Sequence, residues 1–570
     1  RVVDHLREIL IGPVAAGETH QAETGGKQAT VRQVVDGRHQ FLPGKIARDA
    51  EDHQDAGARD PRQSPVPGVA ERIAAGHSSD HTGCRCTGSP VERMATRFCS
   101  GPAIPRPHSR GGIFPVVGHP NPVMIYGCAM QPYVRQPEYL STMADGTVKQ
   151  VGPLTGTEVW TVPGRGNRPL GLQRPEPRPI DETAHGTHCA FCEQRYLETP
   201  PEKARVVRSG DEWETLMGLP AEKLFTTTAE FRCVPNLFEI LSFDYWRANY
   251  GFELPESAAR HQRAYLASPE GLEHVLRVAE TKLRASGRGA GQVAAMTREQ
   301  RLEAASGFFG GGHDVIIARR HFVDGAVDDT QLAGSGTLTP EEHEKFIAFT
   351  IDSVRRSYEN NRYARYVTVF QNWLKPAGAS FDHLHKQLVA IDERGVQHEV
   401  ALARLRQDPN LFNEVGPNYA GYHNLIVAEN DHAVAFAGFG HRYPTLEIYS
   451  CSEFSDPWEQ TAEEVRGMSD LIHAMHAATG VDVACNEEWH YRPIDVALPM
   501  PWRVMLKWRV STLAGFEGAT KIYLNTISPV MLRDRVVEKL LALREAGRLA
   551  PEIRIATETR CRPNPLRYSR

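Results

Sequence analysis

Between residues 313 and 509 the chain reads strand, helix, strand, strand twice over. That repetition limits its fold more than any other feature of the 570 residues. In the first copy HDVIIARRH (313–321), rich in β-branched residues, predicts a strand buried on both faces. Thr339 predicts an N-cap, with Pro340 at the first helical position and Glu342 closing a capping box. Phe346, Ile347, Phe349, Thr350 and Val354 continue one apolar face of that helix. RYVTVFQNW (365–373) and HKQLVAID (385–392) then read as two strands joined by the turn KPAGAS. The second copy runs through HNLIVAENDHAVAFA (423–437), a helix over 461–478, VDVAC (481–485) and WRVMLKWR (502–509). Each copy sets a histidine just after its first strand, His321 and His432. The class expected is α+β, built as two pseudo-repeated halves, with a last helix over 530–547.

The rest of the chain is divided around these halves. Residues 1–142 lack sustained periodicity and read as an extension, either a disordered arm or a stretch translated from upstream of a true start at Met130 or Met143. Residues 143–400 form the first half, 401–550 the second, and 551–570 a loose tail. At 41% hydrophobic and 24% charged residues the composition is that of a folded, soluble protein. Lys and Arg number 65 against 70 Asp and Glu, so no global field draws in nucleic acid or an anionic membrane. No apolar run reaches the ~20 residues of a spanning helix, and the first residues do not form a leader. Ten cysteines are too sparse for a disulfide framework, which points to a reducing cytoplasm.

The chemistry concentrates in FQNWLKPAGASFDHLHKQ (370–387). His383 and His385 stand two apart at the start of a strand and so share one face. A neutral imidazole can attack phosphorus and leave again if its other ring nitrogen is held by a hydrogen bond. Taken alone, two of 24 histidines meeting on a strand could equally be coincidence. Cys189-x-x-Cys192 has the spacing of a zinc knuckle. The same spacing also suits two small core residues or a redox pair, and His185 and His188 compete as further ligands. GFFGGGHDV (307–315) lacks the Gly-Lys-Ser/Thr ending of a phosphate loop and reads as a turn feeding a strand.

Asn372, then Gly378 and Ser380, then His383-Leu384-His385-Lys386-Gln387 resemble the galactose-1-phosphate uridylyltransferases of the histidine-triad superfamily, which carry Asn, a Gly/Ser turn and His-Pro-His-x-Gln. The resemblance runs from about Pro179 to Pro529 and takes in Cys189-Ala-Phe-Cys192 with ETPPE, VPNLFEIL (234–241) and PWRVMLKWRVSTLAGFEGATKIYLNTISP (501–529). It implies two histidine-triad-like halves, each an antiparallel sheet with flanking helices. It implies His385 as the nucleophile, Gln387 as the donor to phosphoryl oxygens, and Asn372, Ser380 and Glu517 against substrate. It also implies one zinc ion held by Cys189, Cys192, His321 and His383. Two sulfurs and two nitrogens close a tetrahedral site, so this zinc is structural.

Two departures stand out. Leu384 replaces the proline, and Pro501 and Arg503 replace the His-x-His of a second metal site, so a single metal is expected. The activity implied is a UDP-glucose:hexose-1-phosphate uridylyltransferase-like transfer through a nucleotidyl-histidine. Its partners are a nucleoside diphosphate sugar and a sugar 1-phosphate, in a family whose members are often homodimers. An ADP-sugar or dinucleoside polyphosphate phosphorylase or adenylyltransferase is the alternative within that class. A degenerate zinc-stabilised nucleotide-binding protein is the alternative outside it.

Overall fold

The computed structural model describes residues 138–165, 176–181, 184–511 and 513–569. In chain order the strands are β1 Leu140–Thr142, β2 Val148–Val151, β3 Glu158–Thr161, β4 Ala204–Ser209, β5 Glu212–Met217, β6 Ala229–Pro235, β7 His313–Ala318 and β8 Tyr366–Trp373. They continue as β9 His385–Ile391, β10 Ile426–Glu429, β11 Ala433–Ala437, β12 Thr445–Ser450, β13 Cys485–His490, β14 Arg503–Trp508, β15 Ile522–Leu524 and β16 Arg554–Ile555. One large sheet has the order β16-β10-β11-β12-β14-β13-β8-β9-β7-β6-β4-β5. Every neighbouring pair in it is antiparallel. The expected α+β class is therefore what is found, with the two halves fused into one sheet where β8 pairs with β13.

Around that joint, where Phe370 faces Glu488, the two sides repeat each other. Outward on one side lie β8, β9, β7 and β6, and on the other β13, β14, β12 and β11. The helix Pro340–Asn360 links β7 to β8, and the helix Ala462–Thr479 links β12 to β13. Both start from the same device, a threonine capping box, at Thr339 with Glu342 and at Thr461 with Glu464.

The repeat expected from sequence is present, but its second copy is displaced. The first strand of that copy is β12, not 423–437, which folds instead as the hairpin β10–β11. Asn430 closes the hairpin by accepting the backbone N–H groups of His432 and Ala433, both at 2.9 Å. His432 therefore belongs to a turn and is not the counterpart of His321. VDVAC likewise lies ahead of its strand, since only Cys485 belongs to β13.

The two long helices cover one face of the sheet joint and touch each other, with His343 Nδ1 2.7 Å from Ser469 Oγ. Asp470 on the second helix is buried, and its Oδ1 has no hydrogen-bond partner. Burial pushes its carboxyl up to about 7. The folded state then holds the proton more tightly than the unfolded chain, so this group's cost appears as pH rises from about 4 to about 7. Asp470→Asn is expected to raise stability at pH 8 by about 1–2 kcal/mol and to leave it unchanged at pH 4. Denaturant midpoints at the two pH values check this.

The N-terminal end of the described chain belongs with the second half. β1, β2 and β3 form a small sheet that β15 joins in parallel, so residues 138–142 are part of the fold and not of an extension. The remainder of the expected extension lies outside the described residues. Gly152 meets Gly440 backbone to backbone where this sheet docks. Gly440 has φ of +66° and a Cβ there would lie 2.0 Å from the Gly152 nitrogen. Gly440→Ala is expected to cost about 2–4 kcal/mol, combining backbone strain with overpacking, measurable as a shift in urea midpoint. The tail, expected to be loose, is packed: β16 pairs with β10, and Tyr568 is buried with its hydroxyl donating to Pro409 O at 2.8 Å. Individual side chains anchor it without any periodicity to announce them. Among the described residues no helix is long and apolar enough to cross a membrane.

Candidate active site and metal centre

The loop Cys189–Cys192 reaches the end of β9 from a distant part of the chain. Cys189 Sγ lies 3.5 Å from His321 Nδ1 and 3.4 Å from His383 Nδ1, and the two sulfurs are 3.8 Å apart. Cys192 Sγ lies 3.6 and 3.8 Å from the same two nitrogens. A tetrahedral zinc about 2.3 Å from sulfur and about 2.0 Å from nitrogen spaces two sulfurs about 3.8 Å apart and sulfur from nitrogen about 3.5 Å, so these five separations suit that ion. His383 Nε2 donates to Ala318 O at 2.7 Å, which leaves its Nδ1 lone pair facing the sulfurs. The hydrogen bond to Cys192 and burial hold the Cys189 thiol high, while that same bond and the two imidazoles hold Cys192 low. Of the competing ligands, His188 packs edge-on to Phe322, at 4.8 Å between ring centroids. Neither His188 nor His185 belongs to the four-residue cluster.

The metal cluster leads directly to His385. The main-chain carbonyl of His383 accepts a 2.7 Å hydrogen bond from His385 Nδ1, so the remaining ring nitrogen, Nε2, carries the lone pair. Burial lowers the His385 imidazole to about 4. Phe191, inside the Cys-x-x-Cys loop, packs edge-on to the ring at 5.3 Å. Gln387 follows on the same face of β9, two residues on. His313 Nδ1 accepts the backbone N–H of Ile240 at 3.2 Å, so His313 Nε2 is the protonated nitrogen. It lies 3.0 Å from Gln387 Oε1 and donates to it. The amide oxygen is thereby occupied, and among the described residues the Gln387 NH₂ group makes no hydrogen bond.

Asn372 on β8 lines a cavity of about 570 Å3 that lies over the β8–β13 joint together with Phe370 and Arg509. Phe370 is the residue paired with Gln387, so this cavity adjoins the His385 face. Ser380 is exposed in the turn between β8 and β9. Glu517 is buried on the short helix Gly515–Thr520 beside β15, where its carboxylate caps the Ala514 N–H at 3.1 Å. That contact is the N-cap of its own helix.

The departures from the family pattern have structural reasons. Leu384 is fully buried. Lys386 points to the helix face, opposite His385, where its Nζ meets Glu487 at 2.5 Å and Gln371 at 3.1 Å. Both are core residues. Arg503 pairs with Tyr449 and His490 as His385 pairs with Ile317. It is therefore the counterpart of His385 across the sheet joint, buried with its guanidinium 4.6 Å from the Phe412 ring.

Sequence reasoning passed over Phe191, His313 and Asn236. Phe191 was legible only as the spacer of a ligand motif, and His313 as the first residue of a strand. Asn236 Nδ2, 3.5 Å from Gln387 Oε1, sits in a segment noted only for its resemblance.

The described residues thus hold an antiparallel α+β sheet and a Cys2His2 cluster hydrogen-bonded through the backbone to a His-x-Gln strand. The chain belongs to the DUF4921 family, described as a domain of unknown function, whose model matches residues 143–568. Over 176 residues it is 28% identical to an ADP-glucose phosphorylase of Arabidopsis thaliana, a match covering 29% of this chain and 49% of that protein. The chain thus spans about half the length of this curated relative. Among solved structures, an Arabidopsis thaliana ADP-glucose phosphorylase with bound ADP-glucose matches with a TM-score of 0.43 at 19% identity, over 68% of this chain and 97% of that one. A uridylyltransferase structure matches with a TM-score of 0.33 at 19% identity, over 41% of this chain and 76% of that one. These named relatives are enzymes, and the similarity to them agrees with the resemblance read from the His-x-His-x-Gln segment.

Proposed function

We propose that this protein transfers a nucleotidyl group from a nucleoside diphosphate sugar to a phosphate-bearing acceptor through a covalent bond to His385 Nε2. The observation that carries the reading is the 2.7 Å donation of His385 Nδ1–H to the carbonyl of His383. It sets the tautomer and aim that a nucleophilic imidazole needs. In the first step the Nε2 lone pair forms a bond to the α-phosphorus, and the bond to the bridging oxygen breaks. Sugar 1-phosphate leaves with that electron pair. In the second step an acceptor phosphate oxygen attacks the same phosphorus, and the P–N bond breaks with its electrons returning to the imidazole. Gln387 supplies N–H donors to the phosphoryl oxygens, where charge spreads in the transition state. A glutamine cannot protonate a leaving group, which suits leaving groups that are already anionic and favours transfer or phosphorolysis over hydrolysis. Zinc on Cys189, Cys192, His321 and His383 would fix the strand that presents His385.

Similarity to an ADP-glucose phosphorylase supports ADP-glucose as donor, with UDP-glucose the second candidate. The zinc-loaded full chain is incubated with each donor alone and its intact mass recorded. An adenylyl adduct is expected from ADP-glucose, or a uridylyl adduct if UDP-glucose is the donor. Absence of both adducts would sink the reading in favour of a nucleotide-binding protein without turnover.

A further inference from the structure

On the wall of the cavity over the β8–β13 joint, three side chains from three strands are linked in one direction. Arg509, just past β14, donates from Nη1 to Asn486 Oδ1 at 2.8 Å. Asn486 on β13 donates from Nδ2 to Asn372 Oδ1 at 2.7 Å and to Ala377 O at 2.8 Å. A guanidinium only donates and a backbone carbonyl only accepts, so the chain of bonds fixes the orientation of both amides. Asn372 is left with its oxygen used and its NH₂ group in the cavity wall.

Arg509 itself is held in place but not neutralised. Its guanidinium stacks over Tyr443 at 4.7 Å, and its Nε is buried without a hydrogen-bond partner. Among the described residues no carboxylate lies in ion-pair range of it. The neighbouring cations are compensated: Arg394 by Asp495 at 2.7 Å and Glu399 at 3.0 Å, Lys507 by Glu488 at 2.5 Å. Arg509 and Asn372 line the same cavity, so the remaining guanidinium N–H groups stand beside the unused NH₂ of Asn372. The complementary ligand is a compact anion with several acceptor oxygens.

We propose that Arg509 and Asn372, coupled through Asn486, form the subsite for the phosphate group of the acceptor. Its place in the reaction rests on the nucleotidyl-transfer reading above; the binding itself does not. The ligand is a phosphate dianion, either free or esterified to a sugar. Its attacking oxygen forms the new P–O bond as the P–Nε2 bond to His385 breaks. Inorganic phosphate gives a nucleoside diphosphate, and sugar 1-phosphate gives a nucleoside diphosphate sugar.

The test compares the full-length wild type with Arg509→Gln and Arg509→Lys, all loaded with zinc. Inorganic phosphate and glucose 1-phosphate are each titrated calorimetrically, and discharge of the preformed adduct is timed at limiting concentrations of each. Arg509→Gln is expected to weaken binding of the cognate phosphate at least about tenfold, since a charge-assisted hydrogen bond is lost. Arg509→Lys is expected to recover part of that loss, which a merely unfolded variant would not. Discharge should slow by a similar factor for whichever ligand binds, and the product identifies the source. If Arg509→Gln binds both ligands as the wild type does, or the wild type binds neither, the subsite is overturned. Arginine-dependent phosphate binding in a protein that forms no adduct would uphold the subsite and overturn the nucleotidyl-transfer reading. An adduct discharged equally well by wild type and Arg509→Gln would do the reverse.

Discussion

His385→Ala is expected to lower turnover by at least about 1,000-fold, more than about 4 kcal/mol of transition-state stabilisation, and to remove the covalent adduct altogether. Nothing else on that face of β9 can replace it, because Gln387 is not a nucleophile and Lys386 is committed to Glu487 on the other side of the strand. The imidazole is nearly buried against Phe191, so its removal also leaves a void. The decisive comparison is therefore at matched folded fraction, read from circular dichroism, with initial rates at saturating donor. A variant retaining a tenth of wild-type turnover would show that the nucleotide is transferred directly between substrates, and ping-pong kinetics would then be absent in the wild type too.

The second large effect is expected at the metal cluster. Wild-type protein should carry one zinc per chain by elemental analysis, and Cys192→Ser should carry almost none, since one of two thiolates in a closed site is lost. The four candidate ligands come from the loop at 189–192, the segment after β7 and the segment before β9, so an ion held there would tie together segments far apart in sequence. The apparent Tm is expected to fall by at least about 5 °C, several kcal/mol spread over a large cooperative unit. Activity should fall further than the loss of folded protein explains, because the carbonyl that orients His385 belongs to His383, a member of the candidate metal cluster. Full activity in a zinc-free variant of unchanged Tm would remove the cluster from both roles.

Much of the site could be read without coordinates because its parts are local. His383, His385 and Gln387 fall within five residues of one strand, and strand alternation alone places them on a common face. The capping box at Thr339 predicted the start of its helix to the residue, since capping depends on groups three positions apart. The errors came where local pattern and tertiary packing diverge. β12 is buried along its whole length and carries Glu447 and Tyr449, polar groups that satisfy each other at 2.8 Å. Its TLEIYS sequence does alternate, but the longer apolar run at 423–437 gives the stronger local strand signal. The hairpin β10–β11 reads as one long strand because its turn is only Asn430, Asp431 and His432.

What the sequence by itself determined was the α+β class, the doubled strand–helix–strand–strand order and the residue types able to bind zinc and attack phosphorus. Periodicity, caps and ligand spacing are short-range properties of a chain. Only the tertiary structure decided that the two halves share one sheet, that Lys386 serves the core, and that His313 and Asn486 orient Gln387 and Asn372. Those outcomes depend on which strands pair at β8–β13 and on hydrogen bonds between residues 70 to 120 positions apart, and no local pattern encodes contacts at that distance.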